Sequence, residues 1–465
     1  MQTGVVPQDF KIAKVLPLFK DGDPAVFNNY RPISILPCFS KILEKLVYTR
    51  VIKHLNSNNI LYNHQYGFRK QHSTYMALMQ LTERVQEALN KNTFALGIFL
   101  DISKAFDTVD HQILLDKLKR YGFCGTVLKW LGDYLVDRQQ FVCIEKQQSD
   151  NMTISCGVPQ GSVLGPLLFL IFINDFAFQF DTALPIIFAD DTNIIFSNSN
   201  FLSLVNQANN ILAKTARWFQ KNRLSLNINK TNYMIFKHKN KIYSSADSKL
   251  FIGDSEIQQV SQTKFLGVIV EESLTWNAHV EWICKKITKS CGIIRRISSL
   301  ISRQCSMTLY YSLIFPYLSY CNIIWGSTYY STLQKLYLVQ KKFVRLATNS
   351  NYLASSAPLF KQLKILSVYE INTFQVCIFV FNCTKNSNSF PEVFHDFFKT
   401  ISQIHSYSTR QTGHIHSAFS RTTLGQFSIK FRGPSIWNAI PSEIREYTSL
   451  PLLKKRLKML LIDDE

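Results

Sequence analysis

The sequence Phe188-Ala189-Asp190-Asp191 places two adjacent aspartates directly after a short apolar run. The apolar runs Leu184 to Ala189 and Ile194 to Phe196 stand on either side of Asp190-Asp191-Thr192-Asn193, a composition typical of a tight antiparallel hairpin. The pattern therefore predicts a hairpin whose tip, at Asp190 to Asn193, carries two neighbouring carboxylates.

A third carboxylate lies earlier in the chain, near the end of the apolar run Phe94 to Ile102, which predicts a buried strand that ends at Asp101. Each aspartate alone has an ordinary interpretation, as a turn residue at Asp190 and Asp191 or as a helix cap at Asp101. Three carboxylates at strand ends favour a metal site, because a buried, unpaired carboxylate is costly without a cation.

Carboxylate oxygens are the ligands that Mg²⁺ prefers. Phosphoryl transfer to a 3′ hydroxyl uses two such ions about 3.5–4 Å apart. Between the aspartates, Gly157-Val158-Pro159-Gln160-Gly161 predicts a sharp turn. The segment Val163 to Phe172 that follows is apolar on nearly all sides and predicts a helix inside the protein.

The charge balance favours a polyanionic partner. The 465 residues include 52 Lys and Arg against 32 Asp and Glu, a net charge of +20, which points to nucleic acid ahead of a membrane surface. Hydrophobic residues make up 46% and charged residues 18%, which argues against extensive disorder. A folded, nucleic-acid-binding protein is expected.

The ten cysteines are scattered without a Cys-x-x-Cys pair, which predicts reduced, mostly buried thiols. The first residues lack the apolar stretch of a signal peptide, and the run Leu167 to Ile173 is too short to span a bilayer. We expect a protein of the nucleus or cytoplasm that is not secreted and has no membrane partner.

Three segments in the order Phe99 to Asp107, Gly157 to Pro166 and Phe188 to Asp191 resemble the palm motifs of reverse transcriptases, the first and last being the metal-binding ones. Two earlier segments are similar to the fingers motifs of jockey-like non-LTR (LINE) retrotransposons, and one near the end resembles their carboxyl-terminal region. These are Asn29 to Leu36, Gln65 to Lys70 and Gly433 to Asn438. Nearly the whole chain is covered.

The resemblance implies an α+β protein with the right-hand polymerase fold. Its expected parts are fingers at residues 1–95, a palm of antiparallel sheet and helices at 96–270, a helical thumb at 271–349 and a small C-terminal domain at 350–465. The last boundary is placed from a change in composition near Asn349.

The resemblance also implies roles for single residues. Asp101, Asp190 and Asp191 would bind the metal ions, with Ile102 beside them. Lys230 matches the position of a general acid for the leaving pyrophosphate, although a surface lysine is an equal alternative. The incoming nucleotide would contact four residues, namely Arg69, Lys70, Gln160 and Phe106, the last as the steric gate that excludes a ribose 2′ hydroxyl.

Template and primer contacts are expected at two turns. Gly157 and Gly161 would let the backbone approach nucleic acid closely, and Phe265, Leu266 and Gly267 resemble the primer grip. In the thumb, cations alternate with aromatic rings, and we expect only the cations to contact the phosphate backbone. The residues concerned are Trp276, Trp282, Lys285, Lys286, Arg295 and Arg296.

The predicted activity is RNA-directed DNA polymerisation with two Mg²⁺ ions, or Mn²⁺ as a substitute. Its expected partners are element RNA as template, nicked target DNA as primer, and deoxynucleoside triphosphates; no oligomeric state is predicted. Nothing in the sequence resembles the endonuclease of such elements, so a truncated element is expected. The alternatives are a catalytically inactive, nucleic-acid-binding remnant, an RNA-dependent RNA polymerase and a group II intron maturase.

Overall fold

In the computed structural model, residues 3–238, 241, 249–387, 390–404, 413–417 and 419–463 are described. The strands are β1 (Ile12–Phe19), β2 (Tyr30–Ile35), β3 (Phe94–Leu100), β4 (Ile102–Ser103), β5 (Arg138–Ile144), β6 (Gln147–Gln148), β7 (Met152–Ile154), β8 (Leu184–Phe188), β9 (Asp191–Asn198), β10 (Ser225–Leu226), β11 (Asn232–Phe236), β12 (Leu250–Ile252), β13 (Ser255–Gln259), β14 (Gln262–Phe265) and β15 (Val268–Glu271).

The helices are α1 (Cys38–Ser57), α2 (Thr74–Asn90), α3 (His111–Arg120), α4 (Gly125–Leu135), α5 (Leu164–Ile173), α6 (Phe201–Lys221), α7 (Asn277–Ile297), α8 (Arg303–Leu313), α9 (Phe315–Ser319), α10 (Asn322–Trp325), α11 (Tyr330–Ala347), α12 (Ala357–Leu363), α13 (Val368–Lys385), α14 (Ile401–Ile404), α15 (Thr423–Gln426), α16 (Ile429–Ala439), α17 (Ser442–Arg445) and α18 (Leu450–Asp463).

The central sheet has six strands in the order β12-β13-β11-β3-β9-β8. Strand β3 is antiparallel to both of its neighbours, as expected for the palm, whereas β11 and β13 run parallel over a short contact. All seven residues of β3 are buried, because side chains that alternate in direction meet a protein layer on each face of the sheet. The predicted buried strand is confirmed.

The two faces of the sheet belong to two apolar clusters. Leu96 and Ile98 pack with helices α3 to α6 on one side. Ala95 and Phe99 pack on the other side with α2, with helices α7 to α11 and with α13. The fully apolar helix α5 lies inside the first cluster, which confirms the helix predicted there. The sheet is thus covered on both faces around β3, whereas most of β13, near one edge, is exposed.

A second sheet holds the hairpin of β1 and β2, with β5 parallel to β1. In the hairpin Phe19 pairs with Tyr30, so residues 20–29 form its tip. The backbone N–H of Lys20 donates to the carbonyl of Asn29 at 2.8 Å and closes this tip. Lys20 and Arg31 therefore lie close to each other near the tip of the hairpin.

The C-terminal segment packs on the rest of the chain. Residues on both sides of position 349, such as Phe343 and Phe379, lie in the same apolar cluster. The carboxylate of Glu83 on α2 accepts hydrogen bonds from the Ser428 hydroxyl and the Ile429 N–H, both at 2.7 Å, at the start of α16. The boundaries proposed at 95, 270 and 349 stay predictions.

Among the described residues no single helix is long and apolar enough to cross a membrane, whereas α12 and α13, which meet at 53°, satisfy the length and composition criteria only as a bent pair. All ten cysteines are free thiols, and five of them are buried: Cys143, Cys291, Cys321, Cys377 and Cys383. The expectation of mostly buried thiols is thus met by half of them.

Candidate active site

The hairpin of β8 and β9 carries the paired aspartates at one end of the central sheet. Its last pair is Phe188 with Asp191, so the turn consists of Ala189 and Asp190. The predicted position of the turn, from Asp190 to Asn193, was therefore wrong. Ala189 adopts a left-handed conformation with φ of 58°, and Asp191 already belongs to β9.

Asp101 lies beside this turn because of strand register. Leu100 of β3 pairs with Thr192 of β9, and one step further along the same antiparallel register Asp101 faces Asp191. The sheet therefore brings together the three aspartates that the sequence singled out, at the ends of two adjacent strands and in the turn between β8 and β9.

The backbone of Asp101 is held from a second side by the turn after β10. Its N–H donates to the Thr231 hydroxyl at 3.3 Å, and its carbonyl accepts from the Asn227 N–H at 2.8 Å. Ile102 pairs with Leu226 in the same contact. The turn also carries Lys230, which is exposed, and its role as a general acid stays a prediction.

A loop before α2 clamps the aspartate turn. The backbone of Tyr66 donates to the carbonyl of Ile187 at 2.7 Å, and the Gln65 side-chain oxygen accepts from the N–H groups of Gly67 and Ala189 at 2.9 and 3.2 Å. A Cβ atom on Gly67 would lie 2.3 Å from the Ala189 nitrogen. Only glycine allows this approach of the loop to the turn.

The three carboxylates repel one another. Burial raises the pKa of Asp191 to about 6, and the like charges of Asp190 and Asp101 add to the increase. Burial also raises the pKa of Asp190, with Asp101 as the neighbouring negative charge. Asp191 is still partly exposed, so burial removes only part of its hydration. The like charges of its neighbours therefore contribute to the raised pKa. Such a site attracts cations.

Two cations of the β1–β2 hairpin reach this site. Arg31 and Lys20 both lower the pKa of Asp190, and Lys20 also lowers that of Asp191. From the sequence, Arg31 was a weaker candidate than Arg69 for a triphosphate contact, and Lys20 was only part of a turn-forming stretch. The only signal was a Lys and an Arg at the two ends of a predicted strand-turn segment.

The profile of the family described as "Reverse transcriptase (RNA-dependent DNA polymerase)" matches residues 20–270, more than half of the chain. The chain belongs to this reverse transcriptase family. The matched range contains all three aspartates and both hairpin cations. The α+β, right-hand polymerase fold expected from the sequence follows from this membership.

Three curated relatives come from Drosophila melanogaster. The chain is 30% identical over 379 residues to the probable RNA-directed DNA polymerase from transposon BS, 28% over 376 residues to that from transposon X-element, and 27% over 377 residues to the RNA-directed DNA polymerase from mobile element jockey. These alignments cover 78%, 79% and 78% of this chain but only 41%, 41% and 40% of the relatives. The chain thus spans about two fifths of their length.

Among solved structures, apo telomerase from Candida tropicalis has a TM-score of 0.43 and 13% identity, covering 80% of this chain and 64% of the telomerase chain. Telomerase from Candida albicans, in complex with a fragment of telomeric RNA, has a TM-score of 0.38 and 11% identity, covering 84% and 66%.

Arg69 is not among the main charges that shift the pKa of Asp190 and Asp191. Its guanidinium donates to the carbonyls of Tyr62 and Gln65 at 2.9 and 3.3 Å, within its own loop. Together with Lys70 and Glu392 it lines a different cavity, of about 400 Å³, between the fingers and the C-terminal segment. Nucleotide binding by Arg69 and Lys70 stays a prediction that this placement does not favour.

The expected steric gate, Phe106, lies after the strand that carries Asp101. Its half-buried ring stacks on Phe169 with centroids 4.6 Å apart and meets the edge of the exposed Phe68 ring at 6.1 Å. One face of the Phe106 ring is thus fixed by the core. Phe68 was not singled out from the sequence, although it belongs to the segment that resembles a fingers motif.

The turn that carries Gln160 is wedged between two backbone segments. The Gln160 side chain donates to the Asp107 carboxylate at 2.8 Å. Gly157 and Gly161 have φ of 88° and 131°, and a Cβ atom on Gly161 would lie 2.3 Å from the Ser34 carbonyl oxygen. Both glycines therefore serve contacts within the protein, and their predicted template contacts remain untested.

The segment resembling the primer grip is a two-residue hairpin turn between β14 and β15. Leu266 and Gly267 have φ of 47° and 80°, and Phe265 pairs with Val268. The Phe265 ring meets the ring of Phe99 on β3 at 5.6 Å. This contact ties the turn to the strand that ends at Asp101.

In the thumb, the expected separation of core and surface is observed on α7 and just before it. Trp276 is buried, and Trp282 is half-buried and stacks on His279. The four basic residues are exposed: Lys285, Lys286, Arg295 and Arg296. Their contact with nucleic acid stays a prediction.

The donor set of the aspartates fits a hard divalent ion. None of the ion pairs described in the chain includes Asp101, Asp190 or Asp191, and their mutual repulsion leaves negative charge for a cation to neutralise. Within the described ranges, however, no three acidic, His or Cys side chains are close enough to hold an ion as they stand.

Proposed function

We propose that this chain is an RNA-directed DNA polymerase that extends a DNA primer on an RNA template by adding deoxynucleotides. The observation that carries the proposal is the meeting of Asp101, Asp190 and Asp191 at one edge of the central sheet, in a chain of the reverse transcriptase family. These carboxylates repel one another, and bound cations would offset that repulsion.

Reverse transcriptases depend on divalent metal ions, and Asp101, Asp190 and Asp191 would hold two Mg²⁺ ions or Mn²⁺ in their place. The ions would activate the primer hydroxyl and stabilise the leaving pyrophosphate. Negative charge at the aspartates is needed for this, so the site must be deprotonated. Ile102 would contribute only by fixing the backbone beside Asp101.

Lys20 and Arg31 would bind the incoming triphosphate. Their charges act on the aspartates from the β1–β2 hairpin, and a guanidinium presents paired N–H donors to phosphate oxygens. Lys230, exposed on the turn bonded to Asp101, would donate a proton to the leaving pyrophosphate. Phe106 would press against the sugar and exclude a 2′ hydroxyl.

The partners follow from the same proposal. The net charge of +20 suits a template–primer duplex, and the exposed cations of α7 would follow its phosphate backbone. We further propose that the template is the RNA of a non-LTR retrotransposon, that the primer is nicked target DNA, and that the protein works in the nucleus after synthesis in the cytoplasm.

The test is primer extension on poly(rA)/oligo(dT) with Mg²⁺ and either dTTP or UTP. Wild-type protein should extend with dTTP, Asp190→Asn should reduce the rate by about 10³-fold or more, equivalent to about 4 kcal/mol of lost transition-state stabilisation, and chelation should abolish it. The matched control, Asp181→Asn, alters a highly exposed aspartate away from the site and should behave as wild type.

Three results would point elsewhere. A folded wild-type protein that binds the duplex but extends nothing would favour the inactive remnant. A preference for UTP over dTTP would remove the role given to Phe106 and favour an RNA polymerase. Undiminished extension by Asp190→Asn would contradict the proposed site.

A further inference from the structure

The turn that resembles the primer grip has little support from its own sheet. Strands β14 and β15 form a separate ribbon of two strands, and such a ribbon is marginal in water by itself. The turn residues Leu266 and Gly267 both need positive φ. Contacts from outside the ribbon must therefore fix the turn if it is to position a primer end.

One such contact is the ring of Phe99, which meets Phe265 from the palm side. A second contact comes from the thumb. The hydroxyl of Tyr320, between α9 and α10, donates to the carbonyl of Leu266 at 2.8 Å. Its ring also covers Gly267, where an added Cβ atom would lie 3.3 Å from the ring edge.

Tyr320 is itself rigidly held. The indole N–H of Trp325, which is fully buried, donates to the Tyr320 carbonyl at 2.8 Å. The Tyr320 N–H donates to the carbonyl of Pro316 at 3.0 Å. A residue whose backbone is fixed on both sides loses little freedom when its side chain makes a hydrogen bond. The contact with Leu266 is thus preorganised.

The ring of Tyr320 is partly exposed beside the turn. It remains 42% exposed although its hydroxyl is bonded, so one ring face is open to solvent. Burial raises the pKa of Tyr320, and the negative charge of Asp191 contributes to the increase. Tyr320 therefore lies within electrostatic reach of Asp191.

From this geometry we infer that Tyr320 is the primer-positioning residue of the thumb: its hydroxyl holds the Leu266–Gly267 turn while its exposed ring borders the place of the primer 3′ end. The thumb thereby holds the turn, which the contact of Phe265 with Phe99 joins to β3. Because the Tyr320 hydroxyl is bonded to the Leu266 carbonyl, the residue acts on the position of the primer and not on the chemical step. The primer-binding part rests on the proposed polymerase function.

The first test compares Tyr320→Phe with wild type in steady-state extension. Loss of one hydrogen bond that orders the turn should raise KM for the primer–template about fivefold and leave KM for dTTP and kcat within about twofold. The control is Tyr311→Phe on α8, a tyrosine of similar exposure, at 44%, packed on Phe315; it should change nothing. Equal KM values for Tyr320→Phe and wild type would overturn the inference.

The second test does not need activity. Hydrogen exchange of the backbone amides of residues 265–268 should be about fivefold faster in Tyr320→Phe than in wild type, while exchange in α11 stays the same. If wild-type protein extends no primer, the polymerase proposal fails, and this exchange measurement still decides the contact. Unchanged exchange at the turn would contradict the anchoring role of Tyr320.

Discussion

The side-chain oxygen of Gln65 accepts a hydrogen bond from the backbone N–H of Ala189 at 3.2 Å, so a loop far away in sequence fixes the turn that carries Asp190. Gln65 is buried, and the same oxygen accepts from the N–H of Gly67. One amide group thus satisfies two buried N–H donors at the edge of the active site.

Replacing Gln65 with Met keeps the size of the side chain but removes this acceptor. Each buried N–H left without a partner costs about 1–3 kcal/mol, and a turn free to shift should misplace Asp190. We expect kcat for extension to fall about tenfold or more in Gln65→Met. Gln86→Met, at another buried glutamine on α2, is the control and should keep its kcat. Equal kcat values in both variants would show that the hydrogen bond does not position Asp190.

Gly67 should tolerate no side chain. In Gly67→Ala the added methyl group would overlap the Ala189 backbone, so the loop must withdraw from the turn and the free energy of unfolding should drop by about 2 kcal/mol or more. Gly292→Ala on α7 meets open space and should be neutral or slightly stabilising. Denaturant unfolding of both variants measures the difference. A loss of stability only in Gly292→Ala would refute this account.

The raised pKa of Asp191 predicts that stability and activity depend on pH in opposite directions. In the folded chain this pKa is about 6, against an ordinary value of 3.8, so the folded state binds the proton more tightly. The resulting stability is fully present below about pH 4 and is lost as pH rises through 6. Asp191→Asn should therefore melt at a higher temperature than wild type at pH 8, by an amount that shrinks between pH 6 and 4.

Activity should show the opposite dependence. Wild-type extension should decline as pH falls below about 6, because protonated Asp191 no longer binds metal ions, and Asp191→Asn should be inactive at every pH. Thermal melts and initial rates over pH 5 to 8 measure both effects. If the difference in melting temperature between Asp191→Asn and wild type is the same at pH 8 and at pH 5, the repulsion described for the site is ruled out.

The two sets of fingers cations can be separated by kinetics. Lys20→Ala should raise KM for dTTP about tenfold, since a charge opposite the triphosphate is lost, whereas Arg69→Lys should raise it less than about threefold. Lys146→Ala, at an exposed lysine between β5 and β6, serves as the control. A larger effect at Arg69 than at Lys20 would restore Arg69 as the nucleotide ligand.

The catalytic strands could be predicted because their information is local. The buried run of β3 with Asp101 after it, and the apolar strand before Asp190, are visible in a few consecutive residues. The meeting of these aspartates follows from strand register once both strands lie in one sheet. Local pattern was enough for the elements and for the three acidic residues.

Features that depend on distant contacts could not be predicted. The turn lies at Ala189 and not after Asp191, because Gln65 and Gly67 hold an alanine in a conformation that local preference disfavours. The role of Lys20 appears only when the β1–β2 hairpin reaches the aspartates. For Arg69 the motif predicted a nucleotide contact, whereas the side chain donates a hydrogen bond within its own loop.

The hydrogen bonds between Glu83 and the start of α16 make the catalytic part of the chain dependent on its C-terminal segment. A chain that ended before Ser428 would leave a buried carboxylate on α2 without its two donors and would strip apolar cover from the helix beneath the catalytic sheet. Erosion of the coding sequence from its 3′ end would thus destabilise the fold while every catalytic aspartate was still encoded.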